Sequence, residues 1–458
     1  MKDSPPTLIL SKWPLNERTR SKGYMLYEEW GFRGCPFETT SLPPTEFGSH
    51  LLVGRAEATT ALRKRIASSN KLATVEGLNG VGKTSVVNVS SYQLLRQHVE
   101  LGEGPLYIPC RKVFQLRPNT DIEEFIDYVF MEVAQTLIEE SEEIKRKGHY
   151  LRSEAMNRWL NEPQAVAFSG GIWIVSGGRQ ESANTTDGFQ RSGFRKAVID
   201  WLNKIFPERR DGGVICIIDN LELLQSSDAA REKLEYLRDE LFILNGLRWV
   251  LCGSLGIIHG VVTSPRLDGY LHDPVEIGEI GAEHCTQILT SRLAAYKLSD
   301  QYYMPLTERS FERLYSILNG NIRSVLGSAD DFCHWIADHH VPDTAEEKDE
   351  AFQFWLNDQA TRAYDATRQN IRPRAMRVFE QACERVVFSP SDFEEFGFNS
   401  VAAMRPHVKD LEDAGTLVST QDEGDKRRKT IQVTPKGWLM SYHLRNTSTI
   451  SNESDSPI

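Results

Sequence analysis

Short runs of apolar, β-branched residues alternate with long amphipathic stretches between residues 51 and 280. The apolar runs stand at 72–76, 106–109, 214–219, 249–252 and 275–278. The stretches between them repeat apolar residues at helical spacing, as at 122–147 and 228–242. Because parallel strands need helical crossovers, this alternation predicts an α/β domain with a parallel sheet at 51–280.

The rest of the chain divides by composition. Residues 1–50 are rich in aromatic and turn residues, which predicts an irregular N-terminal leader packed on a domain. Residues 281–342 carry apolar residues at helical spacing and predict a helical lid, while the charged segment 343–374 predicts a helical connector. Residues 375–445 predict a compact unit of helices and a β-ribbon. The polar tail at 446–458 predicts disorder.

Composition then narrows the function classes. A length of 458 residues corresponds to about three domains. The net charge of −11 argues against a surface that coats nucleic acid, so any DNA contact is expected to be a local patch. No apolar stretch approaches the length of a membrane helix. The 7 cysteines are scattered without a CxxC pair, which favours a reducing cytoplasm.

The strongest chemical motif is GLNGVGKT at 77–84, which follows one apolar run and precedes a helical stretch. This is the strand-loop-helix context of a phosphate-binding loop. We expect backbone N–H groups to surround phosphate oxygens, Lys83 to reach the terminal phosphates and Thr84 to ligate Mg²⁺. The residues predicted to contact nucleotide in this loop are Gly77, Asn79, Gly80, Val81, Gly82, Lys83, Thr84 and Ser85.

A carboxylate that faces Mg²⁺ is predicted at the end of another strand. The run 214–219 ends in Asp219, which would hold the ion opposite Thr84. The next residue is Asn220, where many such ATPases place a glutamate that orients the attacking water. Glu222 either replaces that glutamate or is a solvated residue at the start of the next helix, and the sequence leaves both open. We therefore expect slow hydrolysis.

The order of these residues resembles the AAA+ superfamily and its signalling relatives, the STAND NTPases, over about 50–440. The resemblance implies that Gly54 and Arg55 lie near the adenine and that Ser254 senses the γ-phosphate. It also implies that Arg266 is an arginine finger acting on a neighbouring subunit and that Arg323, in GNIR, is a second sensor on the lid. For both arginines a surface cation is the alternative.

An insertion at 165–195 interrupts the predicted α/β domain. Two apolar runs around Gly170 and Gly171 predict a hairpin. It resembles the substrate-contacting hairpin of some AAA+ proteins, and a simple packed hairpin is the alternative.

The unit at 375–445 resembles the winged helix-turn-helix of multiple-antibiotic-resistance-type repressors. In that fold the third helix enters the major groove of DNA and the wing touches the backbone. Pro406 inside the third helix predicts a kink, and acidic residues surround the cations, so a purely structural winged helix is the alternative. The residues predicted to contact DNA are Arg405, Lys409, Lys426, Arg427, Arg428 and Lys429.

Together these patterns favour an AAA+-like ATPase of the origin-initiator layout: a P-loop domain, a helical lid and a winged helix. The implied ligands are ATP or ADP with Mg²⁺, and the implied partners are double-stranded DNA and either further copies of the chain or a partner protein. The main alternative is a STAND-type signalling switch, as in stress or phage-defence systems, whose winged helix is an internal clamp. A transcription regulator with ATP as its effector is a third possibility.

Overall fold

The computed structural model describes residues 26–68, 71–150, 191–224, 227–255, 258, 266–267, 269–368, 371–420 and 430–454. The cations Lys426, Arg427, Arg428 and Lys429 lie outside the described residues, as does 165–190 of the predicted hairpin. Residues 191–195, the end of that predicted hairpin, instead begin the helix Arg191–Ile205. The reason is apolar spacing, because Phe194, Val198 and Leu202 are all buried in the core.

A five-stranded parallel sheet forms the centre of the N-terminal half. The strands β1, β3 and β4 are buried along their whole length, as expected where helices cover both faces. The predicted α/β class with a parallel sheet is confirmed. The strands are β1 (Ala73–Gly77), β2 (Leu106–Gln115), β3 (Gly212–Asp219), β4 (Gly246–Gly253) and β5 (Val275–Ile277), in the order β2-β3-β4-β1-β5.

Helices pack around this sheet. The stretch at 122–147, predicted as one helical stretch, breaks at Glu140, and the stretch at 228–242 ends in a π-helix, Arg238–Phe242. The α-helices of this half are α1 (Leu26–Glu29), α2 (Glu46–Leu51), α3 (Ala56–Ala67), α4 (Lys83–Leu101), α5 (Ile122–Glu139), α6 (Ser141–Arg146), α7 (Arg191–Ile205) and α8 (Ser227–Leu237).

The lid consists of α9 (Cys285–Tyr296), α10 (Glu308–Ile317) and α11 (Ile322–Ala337), followed by α12 (Ala345–Arg368). Its core contains Phe311, Phe332 and Phe352. The segment predicted as a connector is the long helix α12, and its apolar face belongs to this same core. The described part of the leader also packs here, through Tyr27, Trp30, Phe32 and Phe37.

The unit after α12 has the helix and strand order of a winged helix. It comprises α13 (Pro373–Arg385), β6 (Val387–Phe388), a 3-10 helix (Pro390–Glu394), α14 (Val401–Asp413), β7 (Leu417–Thr420) and β8 (Thr430–Val433), and its antiparallel sheet has the order β6-β8-β7. At the place of the second helix of a winged helix-turn-helix, this unit has a short 3-10 helix. The third helix, α14, remains continuous through Pro406. Because Ala402 and Pro406 are exposed, water can satisfy the Ala402 carbonyl that loses its helical partner.

The last helix, α15 (Pro435–Ser454), corrects the prediction of a disordered tail for residues 446–454, and the rest of that predicted tail, 455–458, lies outside the described residues. The helix starts from packed residues: Trp438 and Tyr442 lie against the lid core. The Tyr442 hydroxyl accepts hydrogen bonds from Gln353 Nε2 at 2.9 Å and Arg313 Nη2 at 3.0 Å. Once a helix is anchored, each further residue adds one hydrogen bond at little cost, so the polar segment 446–454 continues it.

Among the residues that the structure describes, no helix is both long and apolar enough to cross a membrane.

Candidate functional site

The phosphate-binding loop joins β1 to α4 and is shaped by its glycines. Gly82 stands at the N-cap of α4 with a φ of 94°, so the positive end of the helix faces the loop. A Cβ on Gly77 would lie 2.4 Å from the Ile277 carbonyl oxygen, and a Cβ on Gly80 would lie 2.5 Å from Asn321 Oδ1. Gly77 is required because a Cβ would collide with the backbone, and Gly80 is required because its φ of 85° is one that other residues rarely adopt.

Lys83 lies inside this loop and is only 6 % exposed. Its Nζ donates hydrogen bonds to the carbonyl oxygens of Gly77 at 2.9 Å and Leu78 at 3.2 Å. An ammonium group has three N–H donors, so one remains for a ligand. Lys83 is thus a buried cation that the carbonyl oxygens of the loop hold in place.

Thr84 and Asp219 are brought together, as the sequence predicts for a magnesium site. Thr84 Oγ1 donates to Asp219 Oδ2 at 2.5 Å. The Asn220 backbone N–H donates to the other carboxylate oxygen at 2.8 Å, and Asn220 itself takes a left-handed conformation with a φ of 56°. A hydroxyl and a carboxylate beside a phosphate-binding loop are the oxygen ligands that Mg²⁺ prefers.

Glu222 is neither free in solvent nor far from the site. It lies half-buried in the 3-10 helix Leu221–Leu224, and its Oε2 accepts a hydrogen bond from the Ser254 backbone N–H at 3.1 Å. Ser254 is 5 % exposed, and its hydroxyl has no hydrogen-bond partner among the described residues. A buried hydroxyl without a partner needs an explanation, but Ser254 is not among the residues that line the cavity at the phosphate-binding loop.

Arg55 holds the loop to the segment that leads into the lid. Its Nη2 donates to the carbonyl oxygens of Val81 at 2.9 Å and Gly278 at 2.7 Å, and burial lowers the pKa of the guanidinium. Gly54 approaches the lid so closely that a Cβ there would lie 2.7 Å from Ile280 Cγ2. Arg55 therefore positions the loop through its guanidinium, which binds backbone carbonyl oxygens, and Gly54 allows the close approach of the Ile280 side chain.

The N-terminus of α11 in the lid touches the phosphate-binding loop directly. Asn321 caps α11, and its Nδ2 donates to the Asn79 carbonyl oxygen at 2.8 Å. The Arg323 backbone N–H donates to the Gly80 carbonyl oxygen at 3.3 Å. The Arg323 side chain is exposed and borders the same cavity as the loop, where the second sensor is predicted.

One cavity is bordered by the loop, the lid and residues 39–42. The described residues that line it include Arg55, Lys83, Arg292 and Arg323 but no carboxylate, and none of these four cations forms an ion pair with a described residue. The apolar lining residues are Leu51, Leu52, Val53, Ile280, Ile288 and Leu326. The cavity therefore suits a ligand that combines strongly anionic groups with an apolar part.

Two further predicted site residues, Ser85 and Arg266, lie in different places: Ser85 at the cavity and Arg266 on the surface. The hydroxyl of Ser85 borders the cavity and accepts a hydrogen bond from the Leu42 backbone N–H at 3.0 Å. Arg266 lies on the surface near α8, with a side chain that is 69 % exposed and an Nη1 that is 3.8 Å from Glu235 Oε2. Arg266 does not line the cavity of its own chain.

Sequence reasoning missed two contributors to the cavity, residues 39–42 and Arg292, and it also missed the contact of Asn321 with the phosphate-binding loop. For Asn321 a signal was present, because asparagine before a helical stretch is a preferred N-cap. Neither the leader nor Arg292 carries a motif that points to this site.

The exposed side of α14 carries the two predicted DNA contacts that the structure describes. Arg405 and Lys409 are exposed and lie one helical turn apart. One acidic residue on the same helix is already paired, because Arg372 Nε lies 2.6 Å from Asp410 Oδ2. Arg405 and Lys409 are therefore accessible cations on α14, the third helix of this unit.

Solved structures similar to this chain over most of its length include a Walker-type ATPase and two ORC proteins. The Walker-type ATPase PABY2304 of Pyrococcus abyssi is 12% identical, with a TM-score of 0.46, and the match covers 90% of this chain and 99% of that one. The ORC2 protein of Aeropyrum pernix, in ADPNP-ADP complexes, is 11% identical, with a TM-score of 0.42 and coverage of 91% and 100%.

A further match is the ORC1 protein of Aeropyrum pernix in complex with DNA, at 12% identity and a TM-score of 0.41, with coverage of 88% and 94%. No family model matches the sequence, and no curated protein matches it at a significant level.

Proposed function

We propose that this chain is an AAA+-like switch that binds ATP and hydrolyses it slowly, and whose nucleotide state controls oligomerisation and a DNA-contacting winged helix. The observation that carries the proposal is the cavity beside Thr84 and Asp219, which is lined by four cations without ion pairs to described residues. Three of the four, Arg55, Lys83 and Arg292, are buried. Buried cations without counter-charges are costly, and a nucleoside triphosphate would supply the missing negative charge. The apolar lining residues suit a purine base.

Each residue has a defined task in binding. Lys83 donates to the terminal phosphates, and the N–H groups at the start of α4 bind phosphate oxygens. Thr84 and Asp219 would hold Mg²⁺, which neutralises charge on the terminal phosphates when it is bound. Ser254 and Arg323 donate to the γ-phosphate from the core and the lid, respectively. Because Arg323 belongs to α11, the presence of that phosphate is communicated to the lid.

Hydrolysis is expected to be slow because the position where a glutamate usually acts as the general base holds an amide. Asn220 follows Asp219, and an amide does not accept a proton as a carboxylate does. Glu222 is the nearest candidate, and its Oε2 accepts a hydrogen bond from the Ser254 backbone N–H. We infer that this contact positions the carboxylate, and that its other oxygen can accept the proton.

Variants of these two residues test the assignment of the base. Glu222→Gln is expected to lower the slow turnover at least about tenfold while leaving ATP binding intact, because general-base catalysis contributes a factor of about 10² or more. Asn220→Glu is expected to raise turnover. Phosphate release and equilibrium binding of labelled ATP measure the two effects separately. Fast turnover that Glu222→Gln leaves unchanged would mean that another residue is the base.

The winged helix is connected to the nucleotide site through the lid. The helix α15 packs on α12, and Tyr442 joins both to α10 through Gln353 and Arg313. A movement of the lid would therefore carry the winged helix with it. This packing supports a winged helix that is displayed by the lid, whereas a STAND-type clamp would need it to restrain the nucleotide site.

Oligomerisation provides the direct test of the switch. ATP with Mg²⁺ is expected to increase the mass of the protein in solution relative to ADP, as measured by light scattering. Arg266→Ala is expected to keep ATP binding but to lose any stimulation of turnover by assembly, because an exposed arginine can reach a neighbouring subunit. Arg231→Ala, on the same surface near Glu235, serves as the control. A mass that is identical with ATP, ADP and no nucleotide would remove oligomerisation from the proposal.

A further inference from the structure

Residues 36–42, which we call the strap, connect the lid to the phosphate-binding loop. On the lid side, Arg292 of α9 donates from Nη1 to the carbonyl oxygens of Pro36 at 3.0 Å and Glu38 at 3.2 Å. The Tyr296 hydroxyl donates to Glu38 Oε2 at 3.1 Å. One end of the strap is therefore fixed to the first lid helix.

The other end of the strap is fixed to α4, the helix that follows the phosphate-binding loop. The Leu42 backbone N–H donates to Ser85 Oγ at 3.0 Å, and Asn88 Nδ2 donates to the Leu42 carbonyl oxygen at 2.8 Å. Between these two attachments, Thr39, Thr40 and Ser41 border the nucleotide cavity. The strap thus passes beside the cavity from lid to core.

Arg292 is the residue that the strap and the cavity share. It lines the cavity and is 6 % exposed, and its Nε–H is buried without a hydrogen-bond partner among the described residues. No described carboxylate forms an ion pair with it, and burial lowers the pKa of its guanidinium. An unpaired, buried N–H of a charged group is costly unless a ligand accepts from it.

We propose that Arg292 is a nucleotide-binding residue of the lid: a guanidinium N–H that the strap does not use donates to an acceptor atom of the bound nucleotide, while Nη1 holds the strap. Nucleotide binding then holds the strap in place, because the nucleotide and the strap contact the same planar guanidinium, whose donors are fixed relative to each other. The acceptor is either an atom of the nucleoside or a phosphate oxygen. This inference rests on the proposed nucleotide site but adds to it a binding residue and a segment that responds to the ligand.

Arg248 offers a matched control. It is 5 % exposed, donates from Nη1 to the Ser68 carbonyl oxygen at 3.1 Å, and also has a buried Nε without a partner among the described residues. It lies near the N-terminal end of β4. The phosphate-binding loop follows the C-terminal end of the neighbouring parallel strand β1, at the opposite end of the strands. Arg248→Gln should therefore perturb the fold as Arg292→Gln does, but without touching the nucleotide site.

The test measures the binding of adenosine, ADP and ATP to the full chain by calorimetry, together with hydrogen exchange of the strap. Arg292→Gln is expected to weaken nucleotide binding about ten- to a hundredfold, the range for a hydrogen bond to a charged group, and to abolish the protection of the strap by ADP. Arg292→Lys, which keeps the charge but loses the planar donors, is expected to restore affinity only in part. Arg248→Gln is expected to bind as the wild type does.

Comparison of adenosine, ADP and ATP shows whether the acceptor atom lies on the nucleoside or on a phosphate. An equal loss for adenosine and ADP places the acceptor on the nucleoside, and a loss confined to ADP and ATP places it on a phosphate. Wild-type affinity and strap protection in folded Arg292→Gln would overturn the inference alone. A wild-type chain that binds none of the three ligands would overturn the proposed function itself.

Discussion

Replacing Lys83 by alanine is expected to weaken ATP binding at least about a hundredfold and to stop phosphate release. The substitution removes the buried ammonium that the loop holds through Gly77 and Leu78, and with it the donor that offsets charge on the terminal phosphates. Charge-assisted contacts of this kind are the strongest hydrogen bonds in a site. Equilibrium binding of labelled ATP and release of labelled phosphate would measure the effect.

Lys147→Ala is a suitable control for this variant. Lys147 is also partly buried and donates from Nζ to a backbone carbonyl, that of Asp211, at 2.7 Å, but it lies away from the nucleotide cavity. Thermal unfolding would show whether both variants fold. If folded Lys83→Ala bound and hydrolysed ATP as the wild type does, the loop would not be the nucleotide site.

Local sequence predicts the parts of this site that depend on neighbouring residues. The glycines, Lys83 and Thr84 are contiguous, and their order alone predicts a strand, a loop and a helix. Asp219 is predictable because a buried strand that ends in a carboxylate has a known place beside such a loop. The structure brings Thr84 and Asp219 within hydrogen-bond distance, as expected.

Contacts between distant segments could not be predicted in the same way. Asn321 and Asn79 are separated by 242 residues, and Arg292 and Pro36 by 256. Neither pair leaves a periodic or compositional trace, because each depends on how the leader and lid pack. Glu222 shows the same difficulty: its spacing allows a base or a solvated residue, and only the fold reveals its bond to Ser254.

Composition is also a poor guide where tertiary packing decides the outcome. The segment 446–454 is polar, which predicts disorder, but it continues α15, which is anchored by Trp438 and Tyr442. The charged segment around α12 predicts a connector, yet Phe352 and Trp355 bury one side of it in the lid core. Anchoring by a few large side chains outweighs weak local preferences.

The winged helix is expected to bind duplex DNA through two sets of cations. Neutralising Lys426, Arg427, Arg428 and Lys429 together should weaken binding at low salt and flatten the slope of log affinity against log salt by about one unit for each phosphate that is no longer neutralised. Arg405→Ala combined with Lys409→Ala should also weaken binding, because both side chains are exposed on α14. ATP turnover without DNA should stay unchanged in both variants.

A gel-shift titration at several salt concentrations, with and without ATP, would measure these effects. The control combines Arg96→Ala with Lys145→Ala, which also removes two exposed cations, each already paired with a glutamate of its own helix. That control should keep the wild-type slope, because paired surface charges contribute little. If the wild type bound no duplex even at low salt, and the wing substitutions instead changed nucleotide exchange, the winged helix would be an internal clamp. In that case the cations of the wing would be paired with carboxylates of the same chain. The chain would then be a signalling switch of the STAND type.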